Sequence, residues 1–367
     1  MSTDTKYMKR ALTLAKKGVG KTAPNPAVGC VIVKNGQIVG EGWHKKAGGP
    51  HAEIHALEKA GPHAHGADVY VTLEPCSHTG KTPPCSEALI RAGVKRVVAG
   101  MHDPNPQVNG GGLKALQQAG IETFCGVLED ECRNLNRAFI KFMTTGLPYV
   151  TYKCAMTLDG NIATVTGESR WISCEESRKY VHDMRSRMDA IMVGVDTIIT
   201  DNPQLTVRHV RGKNPLRIIV DTRLRTPESV NVLSEQLSSG TIIATTESNP
   251  RVHLRYLKLG ATIVVCDQYE GRVSMKDLSQ KLGAMGIQSV LLEGGSHLAG
   301  NMLQNGMIDE LVIFVAPKVI GSNGFAPFTL QGITSMSQAI KLEFINVCRM
   351  GADLIITARP EPLCSPD

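Results

Sequence analysis

Two segments decide how the first half of this chain folds: "PHAEIHAL" (residues 50–57) and "YVTLEPCSHTGKTPPC" (residues 70–85). The first sets two histidines four apart with a glutamate between them, on helix formers that stop at Gly61-Pro62. This is not the order of the common zinc proteases, in which the glutamate directly follows the first histidine. At about 100° per residue, His51 and His55 share one helix face and Glu53 points to the other. The second segment offers Cys76 after a strand and Pro75, and Cys85 at a helix start after Pro83-Pro84. Two thiolates and one imidazole make three zinc ligands and leave a fourth position for water. A catalytic site requires that arrangement, because the metal lowers the pKa of its water from ~15.7 toward ~7.

The opposed faces of His51 and Glu53 reconcile if the metal sits beyond the N-terminal end of the helix. Side chains lean toward that end, so first-turn residues converge near the axis, His51 as ligand and Glu53 as the group reaching the water. The unpaired N–H groups and partial positive charge there favour thiolate. His55, a full turn deeper, is assigned to packing or a supporting hydrogen bond. His78 is the rival to Cys85 as third ligand.

Working outward, residues 4–17 carry helix formers, and "VGCVIVKNGQIVGEGWH" (28–44) is two strand runs about an Asn-Gly turn. Strands are expected at 67–73, 94–101 and 121–128, with helices at 51–60, 85–93 and 112–120 and a last amphipathic helix over 129–143. After the turn cluster "TTGLPYV" (144–150) the pattern restarts. Strand runs follow at 150–155, 190–194, 217–222, 241–245, 261–266, 289–293 and 310–316, and a hairpin at 342–348 and 352–358. The halves show no repeat. The expectation is two different α/β domains, 1–146 and 147–367, each a sheet covered by helices.

A chain of 367 residues suits two domains of ~150 residues each. With 42% hydrophobic and 20% charged residues it reads as globular. The net charge of +6 is scattered, which suits small anionic ligands. The lack of basic clusters and 4% aromatic content argue against nucleic acid. No apolar run approaches the ~18–20 residues of a membrane span. The N-terminus is polar, and the ten cysteines form no dense framework. A cytoplasmic protein is expected. Homo-oligomerisation, as a dimer or tetramer, is kept open.

The pattern H-x-E followed by P-C…C resembles the zinc nucleobase deaminases, with eight residues between the cysteines in place of two. Together, "HAE", "TLEPCSHTGKTPPC" and "DPNP" (103–106) resemble the deaminase half of the bifunctional riboflavin-biosynthesis deaminase–reductases. "YKCAMTLDGNIA" (152–163), "GESRWIS" (167–173) and "LLEGGSHLAGNML" (291–303) resemble the reductase half. The resemblance implies a zinc cytidine-deaminase-like domain followed by a domain like dihydrofolate reductase. It further implies a small phosphorylated pyrimidine substrate, Zn2+ held by His51, Cys76 and Cys85, and Glu53 as the catalytic proton carrier.

In the same reading, Asn25 and His44 line the pyrimidine pocket, and Lys81, Asp103 and Asn105 receive the ribose phosphate. NADPH contacts fall on Ala155, Trp171, Thr197, Asp201, Thr222 and the loop Gly295, Ser296, His297, Leu298 and Ala299. Substrate contacts fall on Ser169, Arg185, Leu205, Arg208 and Glu293. The two arginines have an independent reason, since guanidinium binds phosphate bidentately. Arg223 and Arg225 are candidates for the cofactor's 2′-phosphate. No G-x-G-x-x-G supports a Rossmann reading. Instead, Gly294-Gly295 between a strand and a helix allows a pyrophosphate to approach a helix N-terminus.

Plainer readings stand beside these. Asn25 is also a turn residue between prolines, Lys81 a solvated loop lysine, Arg185 and Arg208 solvated arginines, Trp171 a core residue, and Gly-Gly a simple turn. For the whole chain the alternatives are a deaminase of another base with a non-catalytic C-terminal module, a decayed reductase half, or a metal-binding scaffold.

Overall fold

The computed structural model describes residues 2–77, 83–105 and 110–361. The chain divides into two compact units, Met1–Gly146 and Leu147–Asp367. In the first, the elements run α1 (Thr3–Ala15), β1 (Gly29–Lys34), β2 (Gln37–Trp43), α2 (Ala52–Ala60), β3 (Asp68–Val71), α3 (Cys85–Arg91), β4 (Arg96–Ala99), α4 (Gly111–Gln118), β5 (Glu122–Cys125), α5 (Glu129–Leu135) and α6 (Arg137–Thr145). The sheet order is β2-β1-β3-β4-β5, with β1 antiparallel to both neighbours and β3, β4 and β5 parallel.

Its inner strands β1, β3 and β4 are buried on both faces, which is why they read as apolar runs rather than alternations. Cys30, Ile32, Val69, Val71, Val97 and Ala99 pack under α2, α3 and α4. Val31, Val33, Tyr70 and Val98 pack under α1 and α5. Helix α2 lies on β2 along Ala52, Ala56 and Ala60. A side chain at Gly42 would run into the backbone of Ala52 and Ala56, so only glycine lets this helix settle so close. That seat fixes where the N-terminus of α2, and with it His51, stands.

One helix was expected over 129–143; two are observed, broken at Asn136. There the buried Asn136 side chain clamps a distant backbone instead of continuing the helix. Its Oδ1 accepts from Ala27 N–H (2.8 Å) and its Nδ2 donates to Ala27 C=O (3.0 Å). Tertiary hydrogen bonding overrides local helix preference at this point.

In the second unit the elements are β6 (Tyr149–Thr157), α7 (Glu175–Arg187), β7 (Ala190–Gly194), α8 (Val195–Asp201), β8 (Leu216–Val220), β9 (Thr241–Thr245), α9 (Pro250–Lys258), β10 (Thr262–Val265), a short ribbon of β11 (Gln268–Tyr269) and β12 (Arg272–Val273), α10 (Met275–Ala284), β13 (Ser289–Glu293), α11 (Ser296–Gln304), β14 (Glu310–Ala316), β15 (Leu342–Met350) and β16 (Asp353–Pro360). The sheet order is β10-β9-β8-β7-β13-β6-β14-β16-β15. All ladders are parallel except those of β14 with β16 and β16 with β15. The expected strands all appear, and the C-terminal hairpin turns at Gly351 (φ 57°). Cores lie on both faces, under α10 and α11 on one and under α7, α8 and α9 on the other. No helix among the described residues is long and apolar enough to cross a membrane.

Replacing Asn136 by alanine orphans both polar groups of the Ala27 backbone. In a Trp171→Phe background, where Trp43 reports on the first unit alone, the urea transition of that unit should lose ~2–4 kcal/mol. An unchanged midpoint would show that the clamp contributes nothing.

Candidate functional site

His51 is the N-cap of α2, with extended backbone, and Glu53 lies buried in the helix's first turn. Cys85 is the first residue of α3, and Cys76 follows β3 by five residues. These elements bring three ligand atoms together. His51 Nδ1 lies 3.2 Å from Cys85 Sγ and 3.6 Å from Cys76 Sγ, and all three atoms lie within 4.8 Å of one another. A tetrahedral zinc with bonds of ~2.3 Å to sulfur and ~2.0 Å to nitrogen needs its ligand atoms roughly 3.5 Å apart, so the donor set and its spacing fit that ion.

The electrostatics point the same way. The Cys76 thiol is held down at about 4 by the Cys85 thiol, the His51 ring and the Cys85 backbone N–H (3.3 Å), which together outweigh its burial. The Cys85 thiol is pushed up by Cys76, by burial and by Glu53. The His51 ring is raised, chiefly by its bond to Cys76. Burial and then the Cys76 charge push the Glu53 carboxyl up to about 7. A cation held by the three ligands would draw it down again. Glu53 therefore faces the Cys85 thiol from the same side as the ligands, as the helix-end geometry requires. His55 lies away from them and pairs with Glu58 (3.4 Å) on the helix surface.

Beside the ligands, the His44 ring meets His51 edge to face at 5.4 Å. His44 Nδ1 donates to Pro50 C=O (3.1 Å). That carbonyl only accepts, so Nε2 is left to accept from Asn25 Nδ2 (3.1 Å). Burial pulls the His44 ring below the ordinary histidine range, in keeping with the neutral form. Lys81 and the rival ligand His78 lie outside the described residues. Asp103 is buried, and its Oδ1 accepts from Asn105 N–H (2.9 Å).

Sequence reasoning missed Glu74, which ties this region together. Its carboxylate accepts from the backbone N–H of Asp103 (3.2 Å), Gly110 (3.0 Å), Gly112 (3.0 Å) and Leu113 (3.2 Å), and from His102 Nδ1 (3.2 Å). It joins the Cys76 segment to the 103–105 loop and to the start of α4. An acid next to Pro-Cys at a strand end was the available signal.

In the second unit, Arg185 of α7 and Glu293, the last residue of β13, form a two-pronged pair at 2.8 Å on each prong. Burial alone would raise the Glu293 carboxyl; Arg185 and Lys153 override it and hold it at about 2. Arg185 also donates to Thr206 C=O (3.2 Å). His182, one turn before Arg185, accepts from Arg208 N–H (3.2 Å) and meets the His209 ring edge to face. Burial and the two arginines pull its ring down to about 4.

Lys153 and His182 were not singled out from sequence. Lys153 stands directly across the β13–β6 ladder from Glu293, and burial lowers its ammonium pKa. A lone lysine inside the strand run "YVTYKCAM" was the signal. Gly294 and Gly295 both take positive φ (68° and 76°), and Gly294 lies against Thr197. Gly295 caps α11, whose first turn holds Ser296, His297, Leu298 and Ala299. The structure thus brings Arg185, Arg208 and Glu293 into one cluster, with Thr197 and the glycines directly after β13.

The other expected residues make their contacts elsewhere. Leu205 is a core side chain with φ 53°, so only its backbone is open to a ligand. Trp171 is 64% exposed, which overturns the core reading; the Arg178 guanidinium lies over its ring at 4.7 Å. Asp201 C=O accepts from Arg170 (3.3 Å), and Thr222 Oγ1 accepts from Val273 N–H (3.3 Å). Ala155 is half-buried in β6 and Ser169 half-buried in the following loop. Arg225 pairs with Asp196 (2.7 Å), leaving Arg223 the more available cation.

Comparison with known proteins agrees with the α/β class expected for both units. The family model for the cytidine and deoxycytidylate deaminase zinc-binding region matches residues 1–101, and that for the RibD C-terminal domain matches residues 148–356. The riboflavin biosynthesis protein RibD of Actinobacillus pleuropneumoniae is 46% identical over 355 residues, covering 96% of this chain and 94% of that one. The structure of Acinetobacter baumannii RibD (form 1) superposes with a TM-score of 0.88 at 39% identity, covering 98% of this chain and 99% of that one. A Thermotoga maritima structure, described as a diaminohydroxyphosphoribosylaminopyrimidine deaminase/5-amino-6-(5-phosphoribosylamino)uracil reductase, superposes at 0.86 with 38% identity and the same coverage. With both halves matched in order over nearly its whole length, the chain belongs to the RibD family of bifunctional riboflavin-biosynthesis enzymes, a deaminase joined to a reductase.

Proposed function

We propose that this chain carries out two successive steps on one small phosphorylated pyrimidine. A diaminopyrimidinone bearing a ribose 5-phosphate is hydrolytically deaminated by the first unit. The second unit then reduces its ribosyl group to ribityl at the expense of NADPH. The observation that carries the reading is the convergence of His51, Cys76 and Cys85 with the buried carboxyl of Glu53, in a chain whose other half matches the RibD C-terminal domain. We place the enzyme in the cytoplasm and take it to act as a homo-oligomer.

Zinc, when bound by the three ligands, supplies the Lewis acidity that makes water a nucleophile near neutral pH. Glu53 is the group that would take the proton of the attacking water and deliver it to the ring nitrogen, and then carry the proton of the newly formed hydroxyl to the amino group, which leaves as ammonia. His44, held as the Nδ1–H tautomer by Pro50, fixes the Asn25 amide where it can meet a pyrimidine edge. Asp103 and Asn105, placed by Glu74, are the described groups assigned to the ribose phosphate end, and Lys81, outside the described residues, is assigned with them.

NADPH, when bound, supplies the hydride. Ala155, Trp171, Thr197, Asp201, Thr222 and the 295–299 turn are the residues assigned to hold it. The backbone N–H groups at the start of α11 would receive its pyrophosphate. Glu293, locked by Arg185, presents fixed acceptors to sugar hydroxyls, Ser169 and the Leu205 backbone are assigned to the same substrate, and Arg208 offers its fork to the phosphate.

Glu53→Gln keeps the shape of the side chain and removes its proton transfer. Deamination should fall by roughly 10²–10⁴-fold, while zinc content and NADPH-dependent reduction of the deaminated intermediate stay at wild-type level. Loss of both activities together would contradict the separation of roles. Arg208→Ala should raise the KM of the reductase step and leave ammonia release untouched.

The Glu293 carboxyl is held near 2 in the folded protein against an ordinary 4.5. Its pairing therefore stabilises the second unit fully above about pH 4.5, and that contribution fades as pH falls toward 2. In a Trp43→Phe background, Trp171 fluorescence should show the unit's stability declining across this window. In Arg185→Leu the buried carboxyl loses the main partner that holds it down, so the stability lost between about pH 4.5 and 2 should shrink or reverse in sign. An unchanged loss across that window would mean that Glu293 is not held by Arg185.

A further inference from the structure

Arg208, the residue assigned to the phosphate, sits where the backbone has no regular structure of its own. Residues 202–215 join α8 to β8 without a helix or a strand. A side chain on such a segment keeps a fixed place only if the backbone beneath it is held by a rigid neighbour. Three consecutive residues are held here. Thr206 C=O accepts from Arg185 Nη1 (3.2 Å), Val207 N–H donates to Asn214 Oδ1 (2.9 Å), and Arg208 N–H donates to His182 Nδ1 (3.2 Å). Asn214 belongs to the segment itself. His182 and Arg185 do not: they stand three apart on one face of the 13-residue helix α7, so α7 is the outside anchor.

The two arginines differ in what they have left to give. Arg185 is closed on Glu293. The Arg208 guanidinium is exposed, and it makes only long contacts to neutral groups nearby, Gln204 Oε1 (3.5 Å) and Thr206 Oγ1 (3.3 Å). No carboxylate pairs with it among the described residues. Its charge is therefore available to an anion, and what remains to be fixed is where that charge stands.

His182 has the chemistry to fix it. The ring is 5% exposed and meets His209 edge to face at 4.6 Å. A nitrogen that accepts from a backbone N–H carries no proton, so the ring hydrogen resides on Nε2. Burial, then Arg185 and Arg208, pull the ring down to about 4, in keeping with that neutral form.

We propose that His182 is a positioning residue of the reductase step: by accepting from the Arg208 backbone, it holds that guanidinium where the substrate's phosphate binds. The inference rests on the function proposed above and deepens it. A bidentate contact needs both prongs in register with two phosphate oxygens, and a shift of about 1 Å at the backbone takes them out of register. Arg208 is exposed, so its N–H can turn to water when the imidazole is removed. The loss then falls on phosphate binding and not on folding.

The test is the kinetics of NADPH oxidation with the deaminated ribosyl phosphate as substrate. The wild type is compared with His182→Leu, His182→Asn, Arg208→Ala and the double variant His182→Leu/Arg208→Ala. His182→Leu should raise KM roughly 10-fold and leave kcat within about two-fold of wild type. His182→Asn, whose Oδ1 can stand in for Nδ1, should recover most of that KM. With Arg208 already removed, the leucine substitution should raise KM no further, an outcome that general loosening of the fold would not give. His182→Gln, which moves the acceptor one bond outward, should also raise KM and supplies the measurement if the leucine variant does not fold. If loss of the acceptor raises KM equally with and without Arg208, or not at all, this inference falls and the phosphate role of Arg208 stands. An Arg208→Ala variant with wild-type KM overturns both. A wild type that oxidises no NADPH with this substrate overturns the proposed function, and the inference with it.

Discussion

The oxygens of a buried carboxyl group must be met by hydrogen-bond partners, and that demand organises the first unit around Glu74. Its four backbone donors come from two stretches of chain that are otherwise separate, Asp103 after β4 and Gly110, Gly112 and Leu113 at the start of α4. Satisfying one side chain therefore fixes three things at once: the exit of β3, the loop carrying Asp103 and Asn105, and the N-terminus of α4. Cys76 lies two residues beyond this anchor. A ligand loop tied so near a rigid point can hold its thiolate in place before any metal arrives, which is what a catalytic ion with an open position demands of its protein. On the other side of the site, the close seat of α2 on Gly42 does for His51 and Glu53 what Glu74 does for Cys76.

The second unit solves a similar problem with a charged partner instead of backbone donors. Glu293 ends a central parallel strand, where doubly wound sheets present their ligand sites. Arg185 meets it in a forked geometry, and Lys153 lies across the ladder. A pair of this kind contributes little net stability compared with apolar packing, because both charges lose hydration. Its value lies in orientation: neither oxygen of Glu293 can rotate away while the fork is closed. A sugar whose hydroxyls must be held still during hydride transfer needs such fixed acceptors.

Much of this was legible in the sequence, and the exceptions share a cause. Strand runs such as "VGCVIV" and "RIIVD", the Asn-Gly turn at 35–36 and the helix on "HAEIHALEKA" follow from local pattern, and they appear where pattern puts them. The approach of His51, Cys76 and Cys85 was readable because ligand chemistry restricts residue types so strongly. The break at Asn136 was not, since its reason is a backbone more than a hundred residues away. The core side chain of Leu205 and its left-handed backbone were not legible either, since such a backbone at a leucine leaves no trace in composition. Glu74, Lys153 and His182 look unremarkable in a linear reading. Only three-dimensional neighbours turn them into a clamp, a counter-charge and a brace.

The electrostatic demands of the two chemistries explain why they occupy separate cores. A zinc site with two thiolates needs a surrounding that stabilises negative charge, here a helix N-terminus and a buried acid whose pKa burial raises. The reductase cluster is the reverse: Arg185, Arg208, His182 and Lys153 surround one carboxylate and hold it ionised. Merging the two in one pocket would set Glu53 among cations and drive its carboxyl well below the range in which it can shuttle a proton at neutral pH. Keeping each acid under its own field leaves burial to raise the Glu53 carboxyl while Arg185 and Lys153 hold Glu293 ionised. On the function proposed above, both sites take the same phosphorylated molecule, the zinc pocket by its base and the arginine cluster by its sugar and phosphate.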